Sequence, residues 1–126
     1  MDIDKGHILV IDDEPSVADA LRIIFEDNGY EVTVALTGIK GIEIARQRCF
    51  NVVVSDVHLP DVTGLEVLDA VRKGCSRCVV ILITSQSTTN LLDEARKRGA
   101  FDVIQKPFSP GDVLGRVSAA LASIIV

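Results

Sequence analysis

The chain contains no tryptophan, one tyrosine, four phenylalanines and two histidines. So few rings provide no stacking platform for nucleic-acid bases. Positive charge is also short: 13 Lys and Arg stand against 18 Asp and Glu, for a net charge of −5. Without a basic footprint for a phosphate backbone, direct nucleic-acid binding is not expected. The three cysteines, Cys49, Cys75 and Cys78, are an odd number. That argues against a disulfide framework and fits a reducing compartment, so the expected location is the cytoplasm. The apolar runs are short and broken by Asp or Gly, so no segment is expected to span or enter a membrane. No basic stretch followed by an apolar one marks a secretory signal.

What is present is core material. Hydrophobic residues make up 48% of the 126, and the mean hydropathy is +0.34. This excludes a disordered chain and suits one domain over residues 1–126. The chain alternates two kinds of segment. Residues 7–11, 31–36, 52–55, 79–83 and 102–105 are short strand-like runs. Between them lie segments of helical period. Val17, Ala20, Leu21, Ile24 and Phe25 form a stripe over 15–28, opened by Pro15 and closed by Gly29. Thr37 caps a second helix with Ile39, Ile42, Ala45 and Cys49 on one face. Gly64, Val67, Leu68 and Val71 mark a third, and residues 88–98 a fourth with Leu91, Leu92 and Ala95. From about Ser109, a fifth aligns Val113, Val117, Ala120, Leu121 and Ile124. Strands that are apolar on both faces belong in a parallel sheet covered by helices. The fold class is therefore α/β: a doubly wound (βα)5, flavodoxin-like three-layer sandwich with strand order 2-1-3-4-5. The chain ends on Ile124-Ile125-Val126, an apolar terminus whose role the sequence leaves open.

In that order the carboxyl ends of the strands gather polar residues. Strand 1 ends in Asp12-Asp13-Glu14, strand 3 in Asp56, strand 4 in Thr84-Ser85 and strand 5 in Lys106-Pro107. Crowded carboxylates raise one another's pKa unless a cation sits among them. An all-oxygen set with few carboxylates suits Mg²⁺. Lys106 supplies a point charge for a phosphate oxygen and Thr84 a hydroxyl donor. Asp56 is then the nucleophile, forming an acyl phosphate.

Four segments in this order and spacing, Ile-Leu-Val-Ile-Asp-Asp-Glu-Pro (8–15), Asp-Val-His-Leu-Pro-Asp-Val-Thr-Gly (56–64), Ile-Leu-Ile-Thr-Ser (81–85) and Gly-Ala-Phe-Asp-Val-Ile-Gln-Lys-Pro-Phe (99–108), cover nearly the whole chain. In them the sequence resembles the receiver domain of bacterial two-component response regulators. The resemblance implies a phosphorylation-dependent switch. Asp56 would take a phosphoryl group from a histidine kinase or a phosphotransfer protein. Asp13 and Asp56 would ligate Mg²⁺ (or Mn²⁺) directly, Asp12 through water and His58 through its backbone carbonyl. Thr84 would be the switch hydroxyl, Lys106 would contact the phosphoryl group, and the Lys106-Pro107 bond would be cis. The family often places Tyr or Phe three residues before the lysine; here that residue is Val103, with Phe101 out of register. An output shift of the 88–98 helix without a ring movement is expected. Arg96, Asp102 and Arg116 lie on the face of the fourth helix, fifth strand and fifth helix. Relatives use that face for homodimers or for docking an output domain or target. The resemblance leaves open whether residues 1–126 stand alone or form the front of a longer regulator.

Plainer readings stand beside these. Asp12-Asp13-Glu14 alone suits an acidic helix start, and Asp56 alone a turn. The His58 imidazole is read chiefly as an exposed loop side chain, with influence on phosphoryl lifetime as the alternative. Cys75-Ser-Arg-Cys78 is read as plain loop, since it precedes a strand and lacks two further zinc ligands. Arg96-Lys97-Arg98 reads as a solvated helix face, and an Asp102–Arg116 pair between two copies is conceivable. Three other functions compete. A haloacid-dehalogenase-type phosphatase would need an acid where His58 stands and has no room for a cap domain. A flavodoxin-like FMN carrier would need a hydroxyl- and Gly-rich loop where Asp-Asp-Glu-Pro stands. A degenerate receiver serving as a binding module is kept open by Val103. The expected protein acts on no separate substrate and catalyses only its own phosphorylation and dephosphorylation.

Overall fold

The computed structural model describes residues 6–125, with side chains through Ile124. Of the apolar terminus, Ile125's side chain and Val126 therefore lie outside the described residues. Five strands alternate with five helices: β1 (His7–Ile11), α1 (Pro15–Glu26), β2 (Glu31–Ala35), α2 (Gly38–Gln47), β3 (Val52–Asp56), α3 (Gly64–Gly74), β4 (Val79–Thr84), α4 (Thr89–Lys97), β5 (Asp102–Gln105) and α5 (Pro110–Ile125). All strand pairs are parallel, in the order β2-β1-β3-β4-β5. The expected class and order are those observed.

Strand side chains alternate between two cores, as the twofold period of a strand requires. Ile8, Val10, Val52, Val54, Ile81 and Ile83 pack on one face with Ala18, Leu21 and Phe25 of α1 and Val113, Val117 and Ala120 of α5. Leu9, Ile11, Val53, Val80 and Leu82 pack on the other with Val67, Leu68 and Val71 of α3 and Ala95 of α4. Three helices start on the same device: the hydroxyl oxygens of Thr37, Thr63 and Thr88 accept from the amides of Lys40, Glu66 and Leu91. Pro15 opens α1, and Gly29 follows it with φ 92°.

Two helices are shorter than their patterns. α1 ends at Glu26 and α2 at Gln47, which leaves Cys49 beyond the helix whose face it was expected to share. On α2, Ile39 is 52% exposed, whereas Ile42 and Ala45 of the same stripe pack against the core. No helix among the described residues is long and apolar enough to cross a membrane.

Candidate functional site

The sheet order places the carboxyl ends of β1 and β3 side by side, with Ile11 in register with Ser55. Asp12 follows the first strand and Asp56 ends the third, so both acids are carried to the same rim. Both are almost fully buried, at 1% and 6% exposure, whereas Asp13 is exposed. One ligand oxygen from each of Asp12, Asp13 and Asp56 lies within 4.8 Å of the others. Lys106, just past β5, reaches across the rim. Its Nζ donates to Asp56 Oδ2 at 3.0 Å and to Asp12 Oδ2 at 3.5 Å. The second oxygen of each acid is held by backbone. The Glu14 amide donates to Asp12 Oδ1 at 2.9 Å, and the His58 amide to Asp56 Oδ1 at 3.1 Å. The loop after β3 is fixed from both sides: the Gly64 amide donates to the Val57 carbonyl, and buried Ser55 bonds the Asp56 carbonyl.

Charge at the rim is unbalanced. Three carboxylates face one ammonium. Burial pushes the Asp12 carboxyl above its ordinary pKa, the Asp56 charge adds to that, and the Glu14 amide and Lys106 only partly offset it. For Lys106, burial works against the charged form, but the hydrogen bond to Asp56 and the charges of Asp12 and Asp56 outweigh it and raise its pKa. An oxygen-only cluster with surplus negative charge, partly buried beside an open rim, fits a hard divalent cation such as Mg²⁺.

The remaining expected residues divide. His58 is exposed, and its backbone forms an isolated bridge with Thr63. Lys106-Pro107 is a cis peptide bond. Thr84 is fully buried, but its hydroxyl is turned into its own loop, donating to the Gln86 carbonyl and accepting from the Gln86 amide, both at 3.1 Å. Val103 packs into the core beneath α4, and Phe101 is 41% exposed. Arg96 is exposed. Arg116 Nη1 donates to Asp102 Oδ2 at 2.8 Å within one chain, so the pair conceived as bridging two copies closes internally. Arg98, from the same basic run, is not merely solvated: it binds Glu94 and Asp69 and ties α4 to α3.

Two features escaped sequence reasoning. Asp61 caps α2 from another loop, accepting from the Gly38 and Ile39 amides at 3.0 and 2.8 Å. The Ile39 amide bond is the main reason its carboxyl is held below the ordinary value. An Asp in a loop before a capped helix carries no local sign of such a contact. The other is a correction: Cys49 and Cys75 form a disulfide, with Cα atoms 6.0 Å apart, and Cys78 is the buried free thiol. An odd cysteine count excluded a fully paired set, not one bridge. Cys75 is thus not plain loop.

Comparison with known proteins agrees with this geometry. The response regulator receiver domain family matches residues 8–118. A transcriptional regulatory protein of Bacillus subtilis, YkoG, is 38% identical over 94% of the chain and 52% of its own length. KdpE, a transcriptional regulatory protein of Mycobacterium tuberculosis, is 37% identical over 90% of the chain and 50% of its own length. The chain spans about half the length of the curated relatives it matches. A CheY-like receiver domain protein from Methanospirillum hungatei superposes with a TM-score of 0.91 at 29% identity, covering 94% of this chain and 95% of that one.

Proposed function

Since the chain belongs to the response regulator receiver domain family, and is therefore a phosphorylation-dependent switch of two-component signalling, we propose that Asp56 is its phosphoacceptor. The observation that carries this is Lys106, whose ammonium bridges the two buried acids at the ends of β1 and β3. The Asp56 carboxylate attacks phosphorus, an acyl phosphate forms, and the bond from phosphorus to the donor's histidine nitrogen breaks. Burial strips the nucleophile of water, and the His58 amide and Lys106 fix its two oxygens. Lys106 is positioned to follow the incoming negative charge onto the phosphoryl oxygens. Asp13, Asp56, Asp12 through water and the His58 carbonyl would hold Mg²⁺. When bound, the ion neutralises both the carboxylates and the phosphoryl oxygens.

The donor is a histidine kinase or a phosphotransfer protein, which places the domain in the cytoplasm. It turns over no separate substrate. The output is an attached domain or a separate target, met through the α4-β5-α5 face that carries Arg96, Asp102 and Arg116; residues 1–126 form one receiver unit. The names of the relatives favour a transcription-regulating output. Thr84 is the switch: freeing its hydroxyl from Gln86 would loosen the loop that leads into α4. With Val103 in place of a ring, that movement proceeds without an aromatic partner.

Intact mass after incubation with a small acyl phosphate and Mg²⁺ tests the assignment. One added phosphoryl group is expected, absent without Mg²⁺ and absent in Asp56→Asn. An adduct that survives in Asp56→Asn would overturn it.

A further inference from the structure

The disulfide lies at the opposite end of the sheet from Asp56. Cys49 follows the α2 C-terminus, and Cys75 caps the α3 C-terminus, 26 residues further on. Their 6.0 Å Cα separation falls within the bridging range of about 4.4–6.8 Å. Cys49 is exposed and Cys75 half-buried, so small reagents can reach the bridge. Cys78, three residues on, is 1% exposed, and burial pushes its thiol up to about 12, so it is a poor competitor for exchange. Both reactive positions have basic neighbours in an acidic chain: Arg46 and Arg48 beside Cys49, Lys73 and Arg77 beside Cys75. Such a neighbourhood draws anions.

The bridge also spans two helices already joined at their other ends. Asp61, in the β3–α3 loop, caps α2. Gly64, the first residue of α3, lies against the Asp56 backbone. A second tie at Cys49–Cys75 closes α2, α3 and the Asp56 loop into one frame.

We propose that Cys49 and Cys75 are a reversible thiol–disulfide modification site that exchanges with an anionic low-molecular-weight disulfide of the glutathione class and sets the rigidity of the α2–α3 frame. Exposed Cys49, as thiolate, attacks glutathione disulfide, forming a mixed disulfide and releasing one glutathione thiolate. Cys75 then displaces the second glutathione and closes the bridge. The two protein sulfurs are oxidised, the glutathione disulfide is reduced, and the two thiol protons end on the two released glutathiones. Excess reduced glutathione runs the sequence backwards. The inference does not depend on the phosphoacceptor assignment.

The full chain, equilibrated in glutathione buffers of graded ratio, is acid-quenched, alkylated and weighed. One two-thiol transition is expected, confined to Cys49 and Cys75, with the oxidised protein lacking the two alkyl groups that these cysteines carry in the reduced protein. It should be lost in Cys49→Ser and kept in Cys78→Ser. The bridged form should melt higher, on the order of 10 °C for a loop of this length, and its α2 and α3 amides should exchange more slowly. Thiols that persist in the most oxidising buffer, a mixed disulfide that never closes, or a bridge that glutathione cannot reopen would each overturn the proposal. Phosphoryl uptake on Asp56, measured on the same samples, reports the receiver chemistry separately.

Discussion

Gly64→Ala probes how tightly the third helix holds the phosphoacceptor. A methyl group on Gly64 would sit 2.5 Å from the Asp56 carbonyl oxygen and 2.7 Å from Val57 Cα. Both neighbours are backbone, so neither can rotate away. Ordinary contact begins near 3.4 Å, so about 0.9 Å must be found by moving α3 or tilting the Asp56 peptide. Moving α3 disturbs Val67, Leu68 and Val71, all buried. Tilting the peptide strains the Ser55 bond to that carbonyl and the Gly64 amide bond to Val57. Overpacking of this kind costs about 1–3 kcal/mol. The smaller unfolded-state entropy of alanine returns roughly 0.5 kcal/mol. The net loss is about 1–2 kcal/mol, a melting-point drop on the order of 5 °C for a domain of this size. Phosphoryl uptake should slow by roughly tenfold to a hundredfold, because the displacement is a sizeable fraction of an ångström at the nucleophile. Gly74→Ala, at the other end of the same helix, has no atom within 4 Å of the new methyl group and serves as the control. It should melt no lower than the native protein and take up phosphoryl groups at the native rate. If Gly64→Ala matched Gly74→Ala in both thermal melts and timed mass spectra, the close approach would not be what fixes Asp56.

Asp12→Asn should stabilise the metal-free protein at pH 7, since it removes a buried carboxylate whose ionisation the fold opposes. A folded-state pKa above the unfolded one gives stability that is present at low pH and lost as pH rises through the raised value. The advantage of Asp12→Asn in calorimetry should therefore shrink as the pH is lowered, and a constant advantage would contradict the assignment. Thr63→Ala removes the α3 cap and should cost about 1 kcal/mol in denaturant unfolding. Asp61→Ala should lower the melting temperature and increase amide exchange at Gly38 and Ile39, whose bonds to it are lost; unchanged protection there would refute the cap. A double-mutant cycle on Asp102 and Arg116 should give a coupling of about 0.2–1 kcal/mol, independent of protein concentration, because the pair is within one chain.

Much of this molecule is legible because its signals are local. Val-Val-Val-Ser at 52–55 and Val-Val-Ile-Leu-Ile at 79–83 can only be strands covered on both faces, and the structure buries every one of those residues. Thr37 precedes a helical stripe and caps it. Once the strand order follows from the βα alternation, Asp12, Asp56 and Lys106 must meet, and they do. The illegible parts depend on pairings that no period encodes. Cys49 and Cys75 are brought together by where α2 and α3 end, and a residue count cannot give those distances. Asp61 caps a helix that begins 23 residues earlier in the chain. Nothing in the sequence around Arg116 says that its carboxylate partner sits on its own β5 rather than on another molecule.

The same contrast between local and non-local ties indicates which part of the domain is free to carry a signal. α3 is held at its start by Asp56 and Val57, along its length by three buried side chains, and at its end by the disulfide. α4 buries one residue, Ala95, and its ties to the rest of the chain beyond the sheet include the Arg98–Asp69 ion pair. The loop into α4 is held to β4 by the two Thr84–Gln86 hydrogen bonds, each with a net contribution of about 0.5–1.5 kcal/mol. A new anionic group on Asp56 that drew the Thr84 hydroxyl towards itself would exchange those bonds for a charge-assisted one, which is stronger. The exchange can therefore run downhill. Its structural consequence would fall on α4, which packs on β5, the strand that carries Val103.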